Sequence, residues 1–133
     1  MKSYFFIYKW IISKVYIILA LLFPLACQAE MTFENICFGN AVASCYTVAD
    51  GPITASTPSR FENFIATNGG GVKVLLNSNG GNLWAGLQLG ALIRKFEFET
   101  VIGSVDSEQR IIDGSCYSSC AYSFLGGVSR SVI

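Results

Sequence analysis

The chain has 133 residues, of which 52% are hydrophobic and 14% are charged, and nine basic residues balance nine acidic ones. This length gives one domain at most, and the apolar content excludes a disordered chain. Nothing in the charge pattern favours a nucleic-acid partner. The absence of histidine excludes any catalytic triad that takes its base from a histidine of this chain.

The first 29 residues are typical of a secretory signal peptide. Three lysines precede or enter an apolar run, and the small residue Ala29 ends the segment. We therefore predict a leader at residues 1–29 and a mature domain at residues 30–133. The alternatives are an uncleaved anchor, with membrane attachment through residues 5–26, and a lipid attached at Cys27.

Export determines the charge and the location that we expect for the mature domain. Without the leader, six basic and nine acidic residues remain, so the net charge is −3. The predicted location is the periplasm. In the anchored alternative the domain also faces the periplasm, because the lysine-bearing end stays inside.

Four cysteines follow the leader, and an even number in an exported chain indicates disulfide bonds. Of the three connectivities, the simplest joins Cys37 with Cys45 and Cys116 with Cys120. The second pair is harder to form, because cysteines at i and i+4 of a regular helix are usually too far apart. Metal binding is the rival interpretation. The chain has no histidine and no tight Cys-x-x-Cys pair, so we predict no metal site and no cofactor.

The first predicted elements after the leader are extended. Residues 32–49 have the composition of short strands joined at Gly39-Asn40, and Asp50-Gly51-Pro52 predicts a turn. Ser59, with Glu62 three residues later, is typical of a capping box and predicts the start of a helix.

The second half of the chain alternates between strands and helices. Residues 72–76 (Val-Lys-Val-Leu-Leu) predict a strand buried on both faces of a parallel sheet. The elements predicted after it are a helix over residues 82–95, a strand over 98–105, a polar loop or hairpin over 106–113, a turn and buried helix over 114–125, and a strand from 128. This order indicates an α/β fold with crossover helices.

Two segments of small residues carry the candidate chemistry. The glycines that end Asn77–Gly81 (Asn-Ser-Asn-Gly-Gly) would let backbone N–H groups point at a developing oxyanion. Residues 114–121 place serines where a loop enters a helix, so that a hydroxyl would be exposed beside free N–H groups. Taken alone, the first segment is a tight strand-to-helix turn and the second a helix start with a disulfide.

Taken together, these segments resemble the Clp peptidase family within the Clp/crotonase superfamily. In that family the first segment commonly reads Asn-Ser-Pro-Gly-Gly, and here Asn79 replaces the proline. The resemblance covers roughly Tyr46 to Ile133. It implies a Clp/crotonase-like α/β fold of ββα-type repeats, with a parallel sheet and crossover helices.

The resemblance also implies roles for individual residues. Ser119 matches the nucleophile, and Ser118 is the fallback because one register step separates them. The backbone N–H groups of Gly81 and Cys120 match the oxyanion hole. The family's histidine and aspartate lie downstream of the nucleophile helix, so we expect the chain to be truncated before the last strands and helices.

These expectations lead to two functional hypotheses. The first is an exported serine hydrolase of the peptidase type, with a peptide substrate in a full-length relative, which is inactive as given because it lacks a base. Neither Lys73 nor Lys95 stands at a position suited to replace the histidine. The second is a non-catalytic exported or membrane-anchored α/β module for binding or assembly. A sheet without its later strands would also expose an edge, which favours homo-oligomers.

Overall fold

The structure, a computed structural model, describes residues 29–39 and 45–133. Most of the predicted leader, including residues 5–26 and Cys27, lies outside the described residues, as does Asn40. Within the described ranges, no helix is long and apolar enough to cross a membrane.

A five-stranded sheet forms the centre of the described fold. Its strands, in spatial order, are β1 (Thr32–Cys37), β2 (Cys45–Asp50), β3 (Lys73–Asn77), β4 (Glu99–Ile102) and β7 (Arg130–Val132). β1 is antiparallel to β2, and every other neighbouring pair is parallel. A separate hairpin follows β4 and consists of β5 (Ser104–Val105) and β6 (Ile111–Ile112).

Helices connect the parallel strands of this sheet. They are α1 (Thr57–Asn68) between β2 and β3, α2 (Leu83–Lys95) between β3 and β4, and α3 (Ser119–Leu125) before β7. The alternation of strands and helices around a mostly parallel sheet confirms the α/β class that the sequence predicts.

The strand β3 is buried on both faces, as its apolar sequence predicts. Val74 and Leu76 belong to the core cluster beneath the helices, whereas Leu75 belongs to a second cluster on the opposite face. Val105 and Ile111 of the β5–β6 hairpin pack against that second cluster. Each buried aliphatic side chain contributes about 1.5–3 kcal/mol relative to its exposed state. The hairpin therefore stabilises the sheet by shielding this face from solvent, as the helices shield the other face.

The start of α1 differs from the predicted capping box. The helix begins at Thr57 with Ser56 at the N-cap, three residues before the predicted N-cap Ser59. Pro58 lies in the first turn, where its fixed φ suits a helix and its missing N–H costs nothing. Glu62 does not return to the N-terminus but pairs with Lys95 of α2, at 3.1 Å.

The predicted strand over residues 98–105 is divided in two. β4 ends at Ile102, and β5 begins at Ser104 after the buried Gly103. The polar segment that follows is a hairpin, as predicted. Asp106 accepts hydrogen bonds from the backbone N–H and the guanidinium of Arg110, which lower the pKa of its carboxyl.

Both local disulfides are formed, which selects one of the three possible connectivities. Cys37 and Cys45 face each other in the β1–β2 register. Cys116 lies before α3 begins, so its bond to Cys120 does not span a regular helical turn, and the Cα–Cα distance is 5.2 Å. The geometric objection to this pair therefore does not apply. Such bonds indicate an oxidising environment, extracellular or periplasmic.

Candidate active site

The chain leaves β3 through a tight turn at residues 78–81, which we call the glycine turn. Gly80 and Gly81 have positive φ values of 90° and 143°. The turn is fixed by backbone bonds, because Ile53 N–H donates to Gly80 O at 2.9 Å and Asn82 N–H donates to Ile53 O at 2.8 Å. A side chain at Gly81 would overlap the Ile53 carbonyl, so this position requires glycine.

A second turn, at residues 116–120, lies directly beside the first, and we call it the serine turn. Ser78 N–H donates to Ser115 O at 2.7 Å, and Tyr117 N–H donates to Ser78 O at 3.0 Å. A Cβ atom at Gly80 would lie 2.6 Å from Tyr117 O and 2.8 Å from Ser118 Cβ. The two segments singled out from the sequence are therefore in contact.

Ser118 has an unusual backbone conformation, with φ 55° and ψ −124°. The residue is exposed, it occupies the N-cap position of α3, and its side chain makes no capping hydrogen bond. Positive φ is uncommon outside glycine, and such conformations cost on the order of 1–3 kcal/mol. The turn enters α3 from a loop, and it lacks the Gly-x-Ser-x-Gly sequence of the nucleophile elbow in α/β-hydrolases.

Ser119, the nucleophile implied by the family resemblance, points the other way. Its side chain is buried against α2, where a Cβ atom at Gly86 would lie 2.8 Å from Ser119 Cβ. Its Oγ has no hydrogen-bond partner among the described residues. A substrate cannot reach this hydroxyl in the geometry described, whereas it can reach Ser118.

The backbone N–H groups around the two turns differ in their availability. Cys120 N–H, which the resemblance assigns to the oxyanion hole, donates to Tyr117 O at 3.1 Å. Gly80 N–H donates to the Ser78 hydroxyl, also at 3.1 Å. Within the described ranges, neither Gly81 N–H nor Ser119 N–H has an acceptor. Of the two donors that the resemblance implies, Gly81 N–H is thus free and Cys120 N–H is not, whereas the neighbouring Ser119 N–H is free.

A polar crevice of about 340 Å³ borders the glycine turn at the carboxyl ends of β2 and β3. Asn77 organises it, because its Nδ2 donates to Asp50 Oδ2 at 2.7 Å and its Oδ1 accepts from Ser115 N–H at 2.9 Å. Ligands of open α/β sheets bind outside the carboxyl ends of strands. The sequence analysis did not predict that Asn77 links these residues. Its position at the end of a buried strand was the signal that could have indicated it.

No cation of the described residues is placed to act as a base for Ser118. Lys73 begins β3, at the end of the strand opposite the glycine turn, and lies 3.8 Å from Glu99. Lys95 ends α2, whose 13 residues separate it from Gly81 by roughly 18 Å. The full chain contains no histidine.

Fold and site together describe an α/β protein with an exposed serine on a strained turn beside a glycine turn. No protein-family profile, curated protein or solved structure matches this chain. The relation to Clp-type peptidases therefore depends on the motif residues and belongs to the proposal that follows.

Proposed function

We propose that this chain carries the nucleophile and oxyanion-binding part of an exported, periplasmic serine hydrolase of the Clp peptidase type, with a Clp/crotonase-like fold. The observation that carries the proposal is the backbone of Ser118, at φ 55° and ψ −124° on an exposed turn in contact with Gly80. A non-glycine residue retains such a conformation only where its surroundings enforce it, and such residues cluster at active sites.

In this proposal the nucleophile is Ser118, one residue before Ser119, which the resemblance implies. Ser118 Oγ attacks the carbonyl carbon of a peptide or ester, and its proton passes to a base. The carbonyl oxygen becomes an oxyanion, for which the free N–H groups of Gly81 and Ser119 are the candidate donors. The buried side chain of Ser119 then packs against α2 and takes no part in the reaction.

A general base is the missing part of this mechanism. Serine is a weak nucleophile near pH 7 unless an adjacent base accepts its proton, and the chain has no histidine. We expect these 133 residues to be inactive alone, and a histidine from outside them would complete the site. General-base catalysis typically contributes 10²–10⁴-fold.

Chemical rescue tests the proposal. The exported protein is treated with a fluorophosphonate, with and without imidazole in the buffer. Imidazole accepts the Ser118 proton while Oγ attacks phosphorus and fluoride leaves. We expect labelling of Ser118 to rise on the order of tenfold or more with imidazole.

Two variants act as matched controls. Ser118→Ala should abolish the imidazole-dependent labelling, and Ser119→Ala should retain it. Labelling at Ser119, or equal labelling of the Ser118→Ala variant, would overturn the assignment of the nucleophile. Strong labelling without imidazole would contradict the statement that the chain lacks a base.

The missing histidine also favours the second candidate, a non-catalytic exported or membrane-anchored module. Exposed apolar side chains near both turns, Leu83, Trp84 and Tyr117, are consistent with a binding surface. Under this alternative the serine turn is structural, and imidazole should have no effect on labelling at Ser118. The rescue experiment therefore separates the two candidates.

A further inference from the structure

We infer that the Cys116–Cys120 disulfide is a positioning element that holds Ser118 in its positive-φ conformation. Its importance for reactivity rests on the proposed role of Ser118 as the nucleophile. The conformational statement itself rests on the geometry of the serine turn.

The disulfide closes a loop that contains only Tyr117, Ser118 and Ser119 between its cysteines. Its two Cα atoms are 5.2 Å apart, whereas an extended chain could span more than twice that distance over four residues. The three enclosed residues must therefore form a compact turn within the loop. Ser118, with its positive φ, lies at the middle of that turn.

Both ends of the loop are anchored to the body of the protein. Cys116 forms an isolated parallel bridge with Ser78, next to the glycine turn. Cys120 is fully buried in the core cluster that also holds Ala85 and Leu89 of α2. The disulfide links these two anchors covalently, so the serine turn cannot lengthen without breaking the S–S bond.

Hydrogen bonds alone impose a weaker restraint on this turn. Cys120 N–H donates to Tyr117 O and Ala121 N–H donates to Ser118 O, each at 3.1 Å. The second bond joins two exposed residues and can exchange with water, and neither bond fixes φ of Ser118. Strained backbone conformations persist only where the structure over-determines them, and the disulfide is the covalent restraint that encloses this one.

The second disulfide offers a matched control. Cys37 and Cys45 join β1 and β2 in register, and their loop does not include the serine turn. Removing either bond deletes one cross-link and lowers global stability. Only the removal of Cys116–Cys120 should change the conformation of Ser118.

The experiment compares isotope-labelled C116A/C120A and C37A/C45A forms of the exported protein by NMR. In C116A/C120A we expect the Cα and Cβ chemical shifts of Ser118 to move toward those of a residue with negative φ. We also expect amide hydrogen exchange at Ala121, whose N–H donates to Ser118 O, to accelerate about tenfold or more relative to β3 amides of the same protein. In C37A/C45A these two readings should stay as in the unmodified protein.

A second measurement avoids dependence on the folding of C116A/C120A. In the C37A/C45A protein, a dithiol reductant can break only the Cys116–Cys120 bond of the mature domain. Each sulfur gains one electron and one proton, and the dithiol becomes a cyclic disulfide. The Ser118 and Ser119 signals should change on reduction and return on reoxidation, while the β3 signals stay in place.

The inference is overturned if the Ser118 shifts remain unchanged after loss of Cys116–Cys120, or if loss of Cys37–Cys45 moves them equally. These readings do not require Ser118 to react. A changed Ser118 conformation without any imidazole-dependent labelling would support the positioning role and overturn the proposed nucleophile. Imidazole-dependent labelling of Ser118, together with a Ser118 conformation that is unchanged after loss of Cys116–Cys120, would support the proposed nucleophile and overturn the positioning role.

Discussion

Ser118 and Ser119 are adjacent and chemically identical, yet they occupy opposite environments. Ser118 faces solvent on a turn with positive φ, and Ser119 faces α2 with its Oγ buried and unpaired among the described residues. A buried hydroxyl without a partner has lost its bonds to water and gained none in return. Its small volume nevertheless suits the site, because the Ser119 side chain and carbonyl lie against Gly86.

This contrast predicts that Ser119→Ala stabilises the protein. The substitution removes the unpaired hydroxyl and leaves the Cβ packing in place, so we expect the free energy of unfolding to rise by about 1 kcal/mol. Ser123 is the matched control, since it is also buried but donates from Oγ to Gly86 O at 3.0 Å. Ser123→Ala should lower stability by about 1 kcal/mol. Urea unfolding of both variants measures the difference, and a loss of stability in Ser119→Ala would contradict the structure.

Residue types alone indicate the glycine turn but not the register of the serine turn. A glycine pair after a buried strand signals positive φ directly, and both Gly80 and Gly81 have it. The choice between two neighbouring serines depends instead on which one the tertiary structure forces into positive φ. The disulfide encloses both serines, and the packing of Ser119 against Gly86 and of Ser118 beside Gly80 distinguishes them through residues distant in sequence. The conformational propensities of residues 118 and 119 do not reveal contacts with residues distant in sequence.

At the scale of elements, the close approach of α2 and α3 holds the serine turn against the sheet. A side chain at Gly86 would overlap the Ser119 carbonyl, and one at Gly90 would meet the Tyr122 carbonyl at 2.5 Å. Glycine lowers the helix propensity of α2 by up to about 1 kcal/mol at each position. The two glycines therefore lower the intrinsic helicity of α2 but allow its backbone to contact the backbone of α3.

Gly86→Ala should consequently destabilise the protein although it favours the helix. The added methyl group must displace α3, and overpacking of this kind costs about 1–3 kcal/mol, which exceeds the gain in propensity. Because Ser119 carries the contact, the NMR signals of Ser118 should move as well. The matched control is Gln88→Ala on the exposed side of α2, with a change within about 0.5 kcal/mol. Thermal unfolding compares the two, and a more stable Gly86→Ala would refute the overlap.

Elements with strong local signals were predictable from sequence, and their ends less so. The predicted helix over residues 82–95 agrees with α2 (Leu83–Lys95), where Asn82 Oδ1 accepts from Ala85 N–H at 2.9 Å. At α1 the capping-box pattern selected Ser59 as the start of the helix. Pro58 and the hydroxyl of Thr57, which accepts from Thr54 N–H at 2.8 Å, start the helix earlier instead.

At the scale of the whole molecule, the sheet has its helices on one face and the β5–β6 hairpin on the other. Sequence order predicts the alternation of strands and helices, but not which face a hairpin covers, since that depends on contacts far apart in the chain. Among the described residues, β7 is the edge strand of the sheet, and its three residues are all exposed. Val132 and Ile133 are 67% and 52% exposed, and the outward backbone groups of β7 have no partner in the described part of the chain, so this edge combines such groups with apolar side chains.

The hydrogen-bond pattern of β7 shows which of its backbone groups face outward. Thr100 N–H donates to Ser129 O, and Ile133 N–H donates to Ile102 O, at 2.9 and 3.1 Å. Backbone groups alternate in direction along a strand. The odd-numbered residues therefore face β4, and the N–H of Val132 points away from the sheet. An open edge of this kind is a template for pairing with another chain.

We therefore expect the exported protein to self-associate through β7, with sedimentation coefficients that rise with protein concentration. Val132→Pro should reduce this association, because it removes the outward N–H while the bonds to β4 come from neighbouring residues. Val132→Thr is the matched control: it removes apolar surface but keeps the N–H, so association should persist if backbone pairing drives it. Sedimentation velocity distinguishes the three proteins. Equal association of Val132→Pro and the unmodified protein would exclude the β7 edge as the contact, and a monomer at every concentration would show that the edge is not used for self-pairing.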